Sequence, residues 1–161
     1  MKQLVFLQNK EIENKLKIET EKIEVIDTSS EKLRSEIQKC KGLVVIQGGD
    51  DKINRLAVEN RKVDLLLSPE KGTRKDSMFF RNSGLNQVLC KLAFKNKISI
   101  GFNFSDILNS KDKLKIISRM VQNVKLCKKY KVKMVFSSFA KSKYELRSNA
   151  ILASFAKLLG V

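Results

Sequence analysis

Short runs of β-branched and aliphatic residues alternate along this chain with amphipathic stretches of helical spacing. The runs fall at Leu4–Leu7, Ile23–Asp27, Leu43–Gln47, Val63–Leu67, Ile98–Phe104 and Val132–Ser137. Several are almost unbroken, Leu43-Val44-Val45-Ile46 and Val63-Asp64-Leu65-Leu66-Leu67 among them. Strands of that kind belong to a parallel sheet covered on both faces. The stretches between them carry helix signals. Thr28 with Glu31 forms a capping box ahead of Leu33 and Ile37. Asp50 or Asp51 is placed to cap a helix carrying Ile53, Leu56 and Ala57. Leu85, Val88, Leu89 and Leu92 make one apolar stripe, and Leu114, Ile117, Met120, Val121 and Val124 make another. Ser148 opens a last helix with Ile151, Leu152, Phe155, Leu158 and Leu159 inward and Gly160 just past its end.

Six βα units in a row predict an α/β fold with mainly parallel strands, one domain over residues 1–161. Periodicity does not choose between an open sheet and a shortened (β/α) barrel. In both, function gathers on loops at the C-terminal ends of the strands. Those loops are unequal here: residues 48–49 are minimal, whereas residues 68–83 make a long excursion. A loop of that length in a compact domain is usually functional or disordered.

Charge changes the picture. Residues 1–70 hold 13 Lys/Arg against 13 Asp/Glu, and residues 71–161 hold 20 against four, an excess of 16. Concentrated like charge repels itself and adds nothing to stability, so a polyanionic partner is indicated, nucleic acid first. Catalytic equipment is sparse. There is no histidine, hence neither the commonest general base nor the commonest metal ligand. Gly48-Gly49-Asp50-Asp51 is a tight turn and helix cap, since its aspartates would repel a phosphate. Ser137 and Ser138 close a strand with no Lys or His spaced to activate them. Cys40, Cys90 and Cys127 are odd in number and dispersed, which predicts reduced, mostly buried thiols rather than disulfides or a zinc site. No catalytic or metal-binding residue is assigned. No apolar run approaches the ~20 residues of a membrane span, and Met1–Leu7 is too short for a signal peptide. A cytoplasmic protein without a membrane partner is expected.

Three basic clusters follow predicted strands. Lys71, Arg74, Lys75 and Arg81 lie in the long loop. Lys111, Lys115 and Arg119, spaced by four, line one helix face opposite the apolar stripe. Lys141, Lys143 and Arg147 occupy the last βα loop. The arginine forks suit bidentate phosphate contacts. Phe79, Phe80, Phe139 and Tyr144 interleave with these charges. They are candidates for stacking on unpaired bases or docking a partner, with packing onto the domain as the plain alternative.

From Leu65-Leu66-Leu67-Ser68-Pro69 through Arg74-Lys75-Asp76-Ser77 to Ser83-Gly84-Leu85-Asn86-Gln87-Val88-Leu89-Cys90-Lys91-Leu92-Ala93, the chain resembles ribonuclease P protein component 3. That is the archaeal member of the family of the 30-kilodalton subunit of the eukaryotic enzyme. Ile98–Leu108 is similar to the family's next strand and helix start, and Ser137-Ser138, Ser142–Ser148 and Leu158-Leu159-Gly160 to its C-terminal signature. Residues 1–62 match by alternation only, Met78–Asn82 looks like an insertion, and Asn149 stands where relatives often have proline. The resemblance implies a TIM-barrel-like scaffold and a non-catalytic, RNA-binding subunit of ribonuclease P. The RNA, with Mg²⁺, removes the 5′ leader of precursor tRNA. The implied partners are ribonuclease P RNA and protein component 2, with precursor tRNA engaged indirectly, and no cofactor in the chain itself. Two other readings share some of these features: a general RNA-binding or ribosome-assembly protein, and a small barrel enzyme acting on an anionic metabolite.

Overall fold

The structure, a computed structural model, describes residues 2–161. Its elements are β1 (Gln3–Val5), α1 (Lys10–Leu16), β2 (Thr20–Lys22), β3 (Val25–Ile26), α2 (Leu33–Lys39), β4 (Val45–Gln47), α3 (Asp51–Glu59) and β5 (Leu65–Leu67). There follow α4 (Gln87–Asn96), β6 (Ser99–Asn103), α5 (Phe104–Asn109), α6 (Lys113–Lys129), β7 (Met134–Ser137) and, after a short 3₁₀ turn at Lys143–Glu145, α7 (Asn149–Leu158). All strand pairings are parallel, as the unbroken apolar runs require.

The predicted second strand, Ile23–Asp27, contains β3, while β2 lies just before it and was not predicted; the break between the two lets the sheet turn a corner. β1 pairs with β2, while β3-β4-β5-β6-β7 run side by side. Backbone hydrogen bonds then join the two edges. Ile23 N donates to Val5 O (2.9 Å), Phe139 N to Leu4 O (3.1 Å), and Phe6 N and Leu7 N both donate to Ala140 O (3.0 Å). The strands therefore close into a ring of six paths, a small TIM-barrel-like cylinder with no free edge. Gln3 fastens the seam. Its buried amide donates to Arg147 O and Asn149 Oδ1 (2.8 Å each) and accepts from the Ser138 hydroxyl (3.0 Å).

Side chains alternate in and out of this ring. Ile23, Val45, Leu65, Leu67 and Phe139 fill the interior with Leu4, Phe6, Val25 and Val135. Ile46, Leu66, Ile100 and Phe102 point outward into the larger core under α2, α3, α4 and α6. A six-stranded interior is narrow, and Gly101 is what it can accommodate opposite two leucines. A Cβ there would sit 3.1 Å from Leu67 Cδ1 and 3.3 Å from Leu65 Cδ1.

Some helix expectations hold. Asp50 caps α3 by accepting from Lys52 N and Ile53 N, and Ser148 caps α7 by accepting from Ile151 N. Others need correction. The Thr28–Glu31 capping box does not form, because α2 starts later, at Leu33, with Lys32 as an N-cap that makes no side-chain bond. Periodicity did not single out α1, whose Asn9 cap accepts from Ile12 N. Val88, Leu114, Ile151 and Leu158 face outward rather than into the core. Cys40 is exposed, and Cys90 and Cys127, distant in sequence, are buried neighbours on α4 and α6. The adjoining Cys90 and burial raise the Cys127 thiol's pKa, so it stays protonated.

The seam is testable. Gln3→Leu keeps side-chain bulk but strands the Ser138 hydroxyl and the Arg147 carbonyl. It should cost about 1–3 kcal/mol in urea unfolding, whereas equal stability would mean that Gln3 does not hold the ring closed.

Candidate nucleic-acid interface

The C-terminal ends of the strands form a mouth dominated by the long segment after β5, residues 68–86. This segment has no secondary structure of its own, and two arginines organise it. Arg119, in the middle of α6, is 1% exposed. Its guanidinium donates to Asp76 Oδ1 (2.9 Å), Glu70 O (3.1 Å), Gly72 O (3.3 Å) and Arg74 O. Arg74 donates to Asp51 Oδ1 (2.6 Å), Pro69 O (2.7 Å), Lys71 O (2.8 Å) and Asn82 O (3.3 Å). Both forks are consumed by carbonyls and carboxylates of the protein. They are the loop's internal frame. The spacing of Arg119 with Lys115 was read correctly as helical, but Arg119 lies on the side that the loop covers.

The frame is tight. Gly84, at φ +81°, leaves no room for a Cβ, which would lie 2.0 Å from Pro69 O. Asn54 on α3 donates to both Pro69 O (3.2 Å) and Gly84 O (3.1 Å), tying the ends of the excursion together. Asp106 at the start of α5 accepts from Ser68 Oγ (2.6 Å) and from Lys71 Nζ (2.7 Å). Partial burial works to raise Asp76, but the hydrogen bonds from Arg119 and Asn82 N and the charges of Arg119 and Lys115 prevail. They hold its carboxyl below the usual range.

Glu70 is the exception. It is 1% exposed, and burial, reinforced by the nearby Asp106 charge, pushes it up to about 8 against weaker opposing hydrogen bonds and Lys71. Asn123 Nδ2 reaches its Oε2 at 3.4 Å, while Glu70 Oε1 and Asn123 Oδ1 have no partner. A protonated Glu70 carries the donor that this pair of acceptors lacks.

The other nominated residues divide into committed and available groups. Lys71 is paired with Asp106, and Phe139 is 0% exposed inside the barrel, with no face for a base. Lys111 precedes α6 instead of lying on it, and is exposed. Lys75 is exposed and Arg81 is half-exposed, 3.7 Å from Asp76. Lys115 is half-buried and shares a groove of about 460 Å³ with Lys75, Arg81 and Ser118. The loop tip beside it is apolar and open: Met78, Phe79 and Phe80 are 94%, 93% and 62% exposed. Across the mouth, Lys141 and Lys143 are exposed, with their ammonium groups 5.4 Å from the Phe6 ring and 5.2 Å from the Tyr144 ring. Tyr144 is exposed, and Arg147 donates to Tyr144 O and Leu146 O (2.7 Å each) while lying over Phe104. Lys71 and Lys141 line a second depression, of about 300 Å³. The first and last clusters thus meet at one end of the barrel. Among the described residues, no group of three or more Cys, Asp or Glu is arranged to hold a metal ion, and no helix is long and apolar enough to cross a membrane.

This architecture, a small barrel with a braced basic loop, can now be set beside known proteins. The sequence model of the RNase P subunit p30 family matches residues 9–161. The chain belongs to this family. It is 34% identical over 144 residues to ribonuclease P protein component 3 of Methanosarcina acetivorans, a match covering 86% of this chain and 57% of the relative. It is likewise 34% identical over 142 residues to component 3 of Methanocaldococcus jannaschii, covering 85% and 58%. The chain thus spans somewhat over half the length of these relatives. A chain in a cryo-EM structure of archaeal ribonuclease P with mature tRNA superposes with a TM-score of 0.72 at 29% identity, covering 99% of this chain and 72% of that one. The barrel described above is consistent with the TIM-barrel-like fold of that family.

What the sequence reading missed in the p30-family chain is the frame itself. Glu70, Asn54, Asn123 and Gln122, which donates to Arg81 O (2.7 Å) and Ser83 Oγ (2.9 Å), drew no notice. The available signal was an arginine in line with an apolar stripe, four residues from Lys115 and one from Met120.

Two outcomes follow for the frame. Arg119→Ala strands Asp76 and several carbonyls and should destabilise by about 3–5 kcal/mol in chemical denaturation. Arg119→Lys should recover less than half of that, since an ammonium cannot span the same acceptors; a full recovery would reduce the role to charge alone. Glu70 gives a pH signature. Its folded pKa of about 8 lies above the ordinary glutamate value of 4.5, so the folded state binds the extra proton between these limits. Stability should therefore fall as pH rises from about 4.5 to 8, by up to a few kcal/mol. Glu70→Gln should flatten that slope and be more stable than the parent above pH 8. An unchanged slope would show that Glu70 is ionised in the folded chain.

Proposed function

We propose that this chain acts as a non-catalytic, RNA-binding protein subunit of ribonuclease P, in the cytoplasm, supporting RNA-catalysed removal of the 5′ leader from precursor tRNA. Membership of the p30 family carries the reading. The mouth supports it, because its available groups are cations and aromatics and its carboxylates are engaged in the protein. Lys75, Arg81, Lys111, Lys115, Lys141, Lys143 and Arg147 are the proposed backbone contacts. Phe79, Phe80 and Tyr144 are proposed to stack on unpaired bases or pack against a partner, for which ribonuclease P protein component 2 is proposed. Mg²⁺ would serve the RNA, and the chain would need no cofactor of its own. Arg74 and Arg119 are assigned to the loop frame, so their loss should act through folding.

The decisive assay is precursor-tRNA cleavage across a Mg²⁺ titration, using cognate ribonuclease P RNA and component 2 with and without this chain, plus the chain alone. A lower Mg²⁺ requirement only with both proteins is expected; turnover by the chain alone would favour a small enzyme instead. Binding to that RNA should weaken about 10³–10⁵-fold between 50 and 200 mM salt if six to ten phosphates are contacted. Lys75→Ala and Arg81→Ala should each flatten the log–log slope by about one unit. Equal affinity for unrelated structured RNAs would point to a general RNA-binding protein.

A further inference from the structure

Nine of the 20 cations of residues 71–161 lie away from the mouth, on α4, α6, α7 and the segments that lead into β6 and β7. Because the strands are parallel, the chain enters β5, β6 and β7 from the opposite end of the barrel. Each of these lead-ins is basic: Arg61 and Lys62 before β5, Lys95 and Lys97 before β6, Lys131 and Lys133 before β7. All six are exposed, and none is in an ion pair among the described residues. They are neighbours in space. Ile100 N donates to Lys133 O (2.9 Å), Ser99 N donates to Asp64 O (2.9 Å), and Lys97 and Lys133 line one depression of about 380 Å³. Strands lie about 4.8 Å apart, so the three lead-ins span about 10 Å.

The acids nearby offset only part of this charge. Glu59 is paired with Arg55 (2.8 Å), and Asp64, which also accepts from Val44 N (2.8 Å), and Glu21 line the depression beside Lys97 and Lys133, two carboxylates against six cations. Helix dipoles account for basic residues in a last turn or at a C-cap, such as Lys95 and Lys97. They do not account for Lys62 and Lys133, which sit beside strands. One open ring accompanies the patch, Phe94, which is 56% exposed in the last turn of α4 beside Lys95. Tyr130 is half-buried, its ring flanked by the ammonium groups of Lys91 and Lys129 at 5.9 and 5.7 Å. Six cations around one exposed ring form a surface dominated by point charge, which suits a phosphate backbone more than base edges.

We propose that this lysine face is a second RNA surface, gripping the phosphate backbone of duplex RNA, so that one chain bridges two RNA elements from opposite ends of its barrel. It rests on the RNA-binding reading of the mouth only for the class of polyanion. The test uses the full chain and a synthetic RNA hairpin duplex, with the combined variant Lys97→Gln, Lys131→Gln, Lys133→Gln. The slope of log affinity against log salt should fall by about 2–3 units, at 0.7–0.9 per lost phosphate contact. A charge-matched control at exposed lysines given no RNA role, Lys10→Gln, Lys32→Gln, Lys52→Gln, should leave duplex binding unchanged. Wild-type chain held on immobilised oligouridylate should capture the labelled duplex, and the triple variant should not. Unchanged duplex affinity and slope in the triple variant overturn the proposal. So does normal duplex binding with lost binding to polyglutamate, which would assign the face to an acidic protein. If the triple variant loses the duplex although the wild-type chain never lowers the Mg²⁺ requirement of cleavage, the lysine face stands and the subunit reading falls.

Discussion

The geometry of the mouth depends on one buried cation. A 19-residue segment without helix or strand (68–86) must have its carbonyls satisfied and its entropy loss offset. α6 accomplishes both by sending Arg119 under the loop, where a planar fork meets the carbonyls of Glu70, Gly72 and Arg74 and the carboxylate of Asp76. A lysine could supply the charge but not four directions at once. Burying an ion is costly unless it is paired and fully hydrogen-bonded, and here both conditions are met. The loop is therefore ordered by a side chain, much as a strand is ordered by its neighbour.

The same arithmetic explains why the surface is so basic. The four acids of residues 71–161 are all used inside the protein. Asp76 holds Arg119, Asp106 holds Ser68 and Lys71, Asp112 caps α6 by accepting from Lys115 N, and Glu145 accepts from Lys141 N and Asn109. Only Asp112 remains exposed, in the groove with Lys75, Arg81 and Lys115, and the other three are partly withdrawn from the surface. The remaining lysines face solvent uncompensated, at both ends of the barrel, and their mutual repulsion is relieved only by a polyanion or by salt.

How far this was legible in the sequence follows from the range of each interaction. Strand positions depend on local apolar runs, and all six were placed within a few residues; Asp50 and Ser148 act on groups two or three residues away, and both caps were read correctly. Closure of the ring was not legible, because Gln3 meets Ser138, Arg147 and Asn149 across nearly the whole chain. Helical spacing predicted that Arg119 shares a face with Lys115 but not that residues 70–76 fold over it. Phe139 looked like a loop aromatic because its positive φ, +43°, turns it back into the barrel, a conformation no propensity anticipates. The lysine end was overlooked for a different reason. Attention to the C-terminal ends of strands is a rule about active sites, and a platform for a long polyanion is not confined to one end.

That contrast bears on what the barrel is for. Ser68, at φ +50° directly after β5, and Phe139, two residues past β7, both adopt strained backbone. In an enzyme such strain commonly aims a reactive group at a substrate. Here the Ser68 hydroxyl is spent on Asp106, and the Phe139 ring plugs the interior beside Leu65 and Leu67. With six strand paths, a phenylalanine plug and a glycine needed at position 101, the cylinder has no room for a ligand along its axis. What the strain secures is the path of the two loops that carry the mouth's cations outward. The scaffold is thus built to present charge on its exterior, and its interior serves only to keep that exterior rigid.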